Sequence, residues 1–265
     1  MKFEETVVSF KVIVAGSSGG YAGPGRACSS YLLEHEDCMM ALDLGSGALG
    51  NLLRYTDADT VDGLAISHLH YDHYMDIYGL LTARRFWEAQ LPPLPILAPP
   101  GAAKHIGAVI YADNREAFMG CMDITDVVPG DELEFAGFVV SAKPAQHIKN
   151  SFIYRVSVDG RTLCYSGDTD RCDALVEQAR EADLFLCEAT FTSEVPLKIP
   201  GHLTAKEAGE TAAQAGVGRL LLTHVWPTLS GERAIEDARA AYDGPIDLAI
   251  EGLTLYVGPY PVAVT

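Results

Sequence analysis

The sequence predicts an α/β protein in which helices pack outside a sandwich of sheets. Short apolar runs of strand length recur along the whole chain, and several stop abruptly on a histidine or a carboxylate. Between them lie amphipathic stretches bounded by helix-start and helix-stop residues. Both halves are strand-rich and each carries its own helices. No linker or low-complexity segment divides them, so residues 1–265 read as one domain.

Val7 to Ala15 reads as the first strand, running into Gly16-Ser17-Ser18-Gly19-Gly20. That pentad fits the G-x-S-x-G elbow of serine hydrolases, with Ser18 as nucleophile. The elbow needs a helix directly afterwards, and Tyr21-Ala22-Gly23-Pro24-Gly25 is a poor helix start, so a glycine-rich turn is the stronger reading. Cys28 to Glu34 and Cys38 to Leu44 form a hairpin that places Asp43 at a strand end. Asp43 is open between a turn former that bonds its own backbone and a carboxylate that braces the histidine-rich loop after the next strand.

Val61 to Ile66 is a buried strand of about six residues. It leads into Ser67-His68-Leu69-His70-Tyr71-Asp72-His73, and a helix follows over Ile77 to Trp87. Residues two apart on an extended segment face the same way, so His68 and His70 can reach one cation together. The turn into the helix frees Asp72 and His73 to face a second. Imidazole with carboxylate suits zinc, and also manganese or iron. A lone histidine is usually an ordinary residue; three with an aspartate in six positions, straight after a buried strand, point to metal.

A proline-rich connector then leads to a short strand, Ile96 to Ala98, and a helix from Gly101 to Tyr111 carries His105, read as an ordinary histidine. Asp113 to Asp131 is expected to be a helix followed by a turn at Pro129-Gly130; the role of residues 88–126 is open. Strands follow at Val139–Ala142, Phe152–Val158 and Thr162–Ser166, the last two joined by the two-residue turn Asp159-Gly160. Asp168 follows the third, and a helix from Asp173 to Ala182 precedes the buried strand Leu184–Cys187, which ends on Glu188. Thr204 and Glu207 make a capping box for a helix ending near Gly216, with His202 just ahead of it. Leu220 to Thr223 is a buried strand ending on His224, Ser230 caps a last helix, and two short strands close the chain.

The charge balance, 19 basic against 36 acidic residues and −17 overall, lowers the expectation of a nucleic-acid footprint. Six scattered cysteines form neither a disulfide framework nor a zinc knuckle. The N-terminal residues lack the apolar core of a signal peptide and no run reaches membrane-spanning length. The expected setting is a reduced, cytoplasmic one, with no membrane partner.

His68-Leu69-His70-Tyr71-Asp72-His73 resembles the H-x-H-x-D-H motif of the metallo-β-lactamase superfamily, and His147, Ser166-Gly167-Asp168-Thr169 and Thr223-His224 match its later motifs in order. The resemblance runs from Val12 to about Val257. It implies a four-layer αββα sandwich with two divalent metal ions, zinc first and manganese or iron as alternatives. His68, His70 and His147 would hold one ion and Asp72, His73 and His224 the other, with Asp168 between them. Pro144-Ala145-Gln146-His147, Glu188-Ala189-Thr190 and Gly201-His202-Leu203-Thr204 look like the tRNase Z-like phosphodiesterase branch, most of all its short bacterial members, which include atypical class II cyclic-AMP phosphodiesterases. Only 20 residues separate His147 from Asp168, leaving no room for a tRNA-gripping arm, so tRNA is not the expected partner. The resemblance therefore implies a binuclear hydrolase of a small or cyclic phosphodiester such as a cyclic nucleotide. A nuclease acting on short RNA and a non-catalytic nucleotide-binding metalloprotein remain as alternatives. Asp72, His202 and Glu188 are the candidate catalytic residues, His202 as proton donor and Glu188 as the carboxylate that orients it. The competing reading is a loop histidine and a strand-end glutamate without a catalytic part. Dimers are common in the family, which keeps a homodimer open.

Overall fold

The computed structural model describes residues 9–87, 90–196 and 198–258. Val7 and Val8 of the first expected strand, and both ends of the 1–265 span, lie outside the described residues.

The chain first lays down β1 (Lys11–Gly16), β2 (Ser30–His35) and β3 (Cys38–Leu42) as an antiparallel meander. β4 (Gly63–Ala65), β5 (Leu94–Ala98) and β6 (Met122–Asp126) then add in parallel. Their connections hold α1 (Leu49–Leu52), α2 (Tyr71–Tyr74), α3 (Ile77–Arg85), α4 (Ala102–Val109) and α5 (Arg115–Met119). The second sheet begins with the antiparallel strands β7 (Glu132–Phe135), β8 (Phe138–Pro144), β9 (Phe152–Val158) and β10 (Arg161–Tyr165). It ends with the parallel β11 (Leu184–Glu188), β12 (Leu220–Thr223) and β13 (Ile246–Leu248), linked by α6 (Asp173–Ala179), α7 (Ala205–Ala215) and α8 (Gly231–Arg239). β14 (Thr254–Tyr256) returns to pair with β1, so the described residues form two seven-stranded sheets.

Strand alternation assigns every face. On β11, Leu184 and Leu186 enter the apolar layer between the sheets, while Phe185 and Cys187 pack outward with α6, α7 and α8. On the first sheet Val12, Val14, Tyr31 and Leu33 point inward, and Ala41, Leu64 and Ile96 point out toward residues of α3 and α4. Three apolar layers between four structural ones are the αββα sandwich the resemblance implies. Each fully buried Leu, Val or Phe is worth roughly 1.5–3 kcal/mol relative to exposure.

Three buried tyrosines cross the inner layer and satisfy their hydroxyls on the far sheet. Tyr31 bonds Thr223 Oγ1 at 2.6 Å, Tyr154 donates to the Ile66 carbonyl at 2.9 Å, and Tyr165 donates to Asp43 Oδ2 at 2.7 Å. All three tie the sheets together under the edge where β3, β4, β10, β11 and β12 end. Ligand sites of α/β sheets form at such carboxyl ends.

Several expectations need adjustment. The strand foreseen over Val61–Ile66 is regular only at Gly63–Ala65. The second strand of the first hairpin stops at Leu42 because Asp43 turns to φ 54°. The region expected as a helix then a turn holds a short helix over Arg115–Met119, then the edge strand β6. β7, paired to β8 through a turn at Ala136-Gly137 with φ 50° and 82°, was not foreseen either. Both are half-exposed and rich in acidic residues, which weakens the apolar signal of a strand. The capping box of Thr204 and Glu207, the Ser230 cap and the Asp159-Gly160 turn are formed as expected.

Candidate metal centre

His68 and His70 sit on the extended run after β4, and α2 is a single turn that swings Asp72 and His73 beside them. His147 follows β8, Asp168 follows β10 and His224 follows β12. The seven ligand candidates named from the sequence thus meet at one sheet edge, in two groups that share Asp168. His68, His70 and His147 surround one of its oxygens, and Asp72, His73 and His224 surround the other.

The second group is close to a cation's coordination polyhedron. His73 Nε2 lies 3.3 Å from Asp168 Oδ1, 3.5 Å from Asp72 Oδ2 and 3.3 Å from His224 Nε2. His224 Nε2 lies 3.3 Å from Asp72 Oδ2 and 3.4 Å from Asp168 Oδ1. Four donors at about 2.0–2.1 Å from a central ion in a tetrahedron stand about 3.3–3.4 Å apart, so these edges fit a divalent ion. In the first group His70 Nδ1 is 2.9 Å from His147 Nε2, and Asp168 Oδ2 is 3.6 Å from His68 Nε2 and 3.8 Å from His147 Nε2. His68 Nε2 and Asp168 Oδ1 are buried without a hydrogen-bond partner among the described residues. Buried polar atoms normally have partners, and a metal ion would satisfy these two.

The ring tautomers follow from what holds each imidazole from behind. His73 Nδ1 donates to Asp43 Oδ2 at 2.7 Å and His147 Nδ1 to the Gly201 carbonyl at 2.8 Å. Ser67 Oγ donates to Asp43 and therefore accepts from His68 Nδ1 at 3.1 Å. Thr190 Oγ1 donates to Glu188 Oε2 at 2.5 Å and accepts from His224 Nδ1 at 2.8 Å. Each of these four rings keeps Nε2 for the centre, as ligating histidines do. The backbone of Gly20 donates to Asp72 Oδ2 at 2.9 Å. A Cβ on Gly45 would fall 1.9 Å from the Asp72 carbonyl, so only glycine lets that turn approach.

Charge states agree with a ligand role. Burial lowers His68, His70 and His147, and the charge of His73 adds to the effect on His68. Neutral imidazoles have the lone pairs a metal needs. Burial alone would lower His73, but the carboxylates of Asp168, Asp72 and Asp43 outweigh it and hold it well above the usual value. Burial alone would raise Asp72 and Asp168, but the neighbouring imidazoles keep both well below the carboxylate range. The carboxylates of this pocket favour positive charge, which a divalent cation supplies.

His202 and Glu188 flank this centre. His202 Nδ1 is 3.3 Å from Glu188 Oε1 and 3.8 Å from Asp168 Oδ2. Its ring stacks on His224 with centroids 5.6 Å apart. Burial works against the charged ring, but the bond to Glu188 and the charges of Glu188 and Asp168 push its pKa up to about 9.

Asp43 resolves toward the bracing reading: fully buried, it accepts from Ser67 N–H, Ser67 Oγ, His73 and Tyr165. The sequence singles out neither Thr190 nor Gly201 for these contacts; a carbonyl or hydroxyl that steadies a ligand candidate leaves no side-chain signature. Ser18 is buried and donates to the Tyr21 carbonyl at 2.8 Å, closing a turn, so the hydrolase-elbow reading fails. His105 bonds the Tyr74 hydroxyl, away from the centre. Among the described residues no helix is long and apolar enough to cross a membrane.

The model of the beta-lactamase superfamily domain matches residues 42–225, the span that holds the donors from Asp43 to His224. The chain belongs to the beta-lactamase superfamily. Within it the chain is similar to the probable metallo-hydrolase YhfI and to Ribonuclease Z. The uncharacterized protein ML1173 of Mycobacterium leprae is 40% identical over 256 residues, covering 94% of this chain and 89% of its own. The crystal structure of the metallo-beta-lactamase fold protein YhfI from Bacillus subtilis superposes with a TM-score of 0.85 at 26% identity, covering 94% of this chain and 99% of that one. Ribonuclease Z of Myxococcus xanthus is 25% identical over 294 residues, covering 91% of this chain and 95% of its own. That alignment is longer than this 265-residue chain, so Ribonuclease Z carries insertions that this superfamily member lacks.

Proposed function

We propose that the chain is a two-metal phosphodiesterase acting on a small or cyclic phosphodiester such as a cyclic nucleotide. The observation that carries this reading is the pair of donor groups sharing Asp168 with an acid-base pair, His202 and Glu188, at their border. His68, His70 and His147 would hold one ion and Asp72, His73 and His224 the other, with Asp168 between them. Zinc suits these donors first, and manganese or iron suit the same set. Bound divalent ions supply Lewis-acid polarisation of a phosphoryl oxygen and make water acidic enough to react near neutral pH.

The chain's own residues supply the proton. Water adds to phosphorus, one P–O ester bond breaks, and the leaving alkoxide needs a proton as that bond opens. His202 Nδ1 is engaged by Glu188, which leaves Nε2 to donate, and the raised pKa keeps the ring charged at neutral pH. Glu188 fixes the ring and stabilises its charge. Asp72 would serve as a ligand of the second ion, its carboxylate anchored by the Gly20 N–H.

A small substrate is favoured by two observations. The stretch from His147 to Asp168 is filled by the end of a loop and the tight hairpin β9–β10, so no arm rises there to grip tRNA. The net charge of −17 repels a long polyanion. Short RNA remains the second reading because a relative is named Ribonuclease Z.

The deciding experiment measures turnover of bis-p-nitrophenyl phosphate, cyclic AMP and a short RNA by wild type and His202→Ala, with metal content determined on both. Wild type should hydrolyse the first two, and His202→Ala should retain its metals and lose most of the rate. Metal-loaded wild type that ignores all three substrates would overturn the phosphodiester reading; cleavage of RNA alone would favour the nuclease.

A further inference from the structure

Beside the metal centre, aromatic rings lead outward in a chain that the hydrolytic machinery does not use. Phe191 packs edge-on to His202 with centroids 6.1 Å apart, and Trp226 stacks on Phe191 at 6.1 Å and 20°. Tyr21 stands nearly perpendicular to Trp226, at 5.7 Å and 79°. Phe191 is buried, Trp226 is half-buried, and Tyr21 is 41% exposed at the outer end.

The backbone holds this corner against the site. Trp226 lies two residues beyond His224, and its N–H donates to the Thr190 carbonyl at 3.1 Å. The indole lies so near Gly20 that a Cβ there would stand 3.2 Å from it, and the N–H of the same glycine donates to Asp72. Ser18 Oγ closes the Tyr21 turn, and Ser18 bridges to both Cys28 and Val225. The rings are therefore held on the same short segments that carry His224 and the N–H donor to Asp72.

We infer that Tyr21 and Trp226 form a stacking subsite for the base of a nucleotide substrate. The inference rests on the phosphodiesterase reading and narrows it to phosphodiesters that carry a planar heteroaromatic ring. Tyr21, 41% exposed and braced edge-to-face by Trp226, offers such a ring an aromatic surface to stack on. Stacking suits this chain because a neutral base feels little of the acidic surface that repels phosphate. The phosphate would lie at the donor cluster and the base against Tyr21.

Trp226 itself reports the binding. The sequence has two tryptophans, so a Trp87→Phe background leaves Trp226 as the only indole. The metal-loaded protein in this background is titrated with adenosine monophosphate and with ribose phosphate, which lacks the base. The nucleotide should quench Trp226 fluorescence and bind at least about 10-fold more tightly than ribose phosphate. Tyr21→Ala should remove that advantage and Tyr21→Phe should restore it. In turnover, Tyr21→Ala should lower the ratio of kcat/KM for cyclic AMP over base-free ribose cyclic phosphate by about 10-fold. Equal affinity for the nucleotide and the sugar phosphate, or an unchanged ratio in Tyr21→Ala, overturns the subsite. If adenosine monophosphate binds through Tyr21 while no phosphodiester is hydrolysed, the subsite stands and the phosphodiesterase reading falls.

Discussion

His202 Nδ1 lies 3.3 Å from Glu188 Oε1, and three further donors fix that carboxylate: Thr169 N–H at 2.7 Å, the Thr190 hydroxyl at 2.5 Å and Leu203 N–H at 3.0 Å. A buried carboxylate held on several sides cannot swing away, so the imidazole it faces is fixed in both position and charge. Thr190 also accepts from His224, so one hydroxyl couples the carboxylate that faces His202 to a ligand candidate.

This geometry predicts the alkaline limb of the rate profile. The pKa of His202 is raised to about 9, against an ordinary value near 6.5. The acid is therefore present below the raised value and lost as pH climbs through it. Removing the charge in Glu188→Gln should move the limb of kcat down by about one unit or more. His202→Ala should cost about 10²–10⁴ in kcat and abolish the limb. A limb that stays in place in Glu188→Gln would assign the ionisation elsewhere.

Asp43 offers a test of support from behind the ligands. In Asp43→Asn the shape is kept, and Asn tolerates the positive φ of 54°. One side-chain oxygen becomes an NH2 group facing donors, so His73 or Ser67 loses its acceptor. Metal affinity, read by competition with a chromophoric chelator, should fall about 10–100-fold. Unchanged affinity would reduce Asp43 to a turn residue.

The clustering of the ligand candidates was legible in the sequence because metal chemistry restricts them to a few side chains at strand ends with fixed spacing, as in His68 to His73. The sandwich was legible because strands such as Leu184–Glu188 and Leu220–Thr223 are apolar on both faces. What was hidden is relational. Nothing in the spacing of Tyr31, Tyr154 and Tyr165 announces that their hydroxyls cross the core to Thr223, Ile66 and Asp43. Thr190 and Gly201 act through groups that many residues share. β6 and β7 escaped because an edge strand needs little apolar surface, and Asp123 and Glu134 point to solvent within them.

Metal removal should register in stability as well as activity. Without ions, His68 Nε2 and Asp168 Oδ1 are buried with no hydrogen-bond partner of good geometry among the described residues, at about 1–3 kcal/mol each. A metal present at about 100 times its Kd stabilises the fold by about 2.7 kcal/mol. Chelator-treated protein should therefore melt several degrees lower, and returning zinc, manganese or iron in turn should restore the Tm and rank the ions. Identical melting with and without chelator would argue against a metal-binding role for the cluster.

The loop that presents His202 depends on an ion-pair network that acid should dissolve. Lys198 Nζ bonds Asp170 at 2.7 Å and Glu207 at 2.9 Å, while Asp170 also accepts from Gly201 N–H and Glu207 from Thr204. Burial alone would raise both carboxyls. For Asp170 the Lys198 bond comes next and prevails; for Glu207 the Thr204 N–H and then Lys198 do, so both pKa values lie below their usual range. A depressed folded-state pKa means this stabilisation is complete above the ordinary carboxylate values and is lost as pH falls through the depressed ones. Lys198→Met should lose about 1 kcal/mol at neutral pH, or about 2–4 °C in Tm, and its Tm should fall less steeply on acidification below pH ~4 than that of wild type. Because Gly201 steadies His147 and the next residue is His202, the variant should also lose rate with its fold intact. Parallel acid profiles for the two proteins would show that the network carries no pH-linked stability.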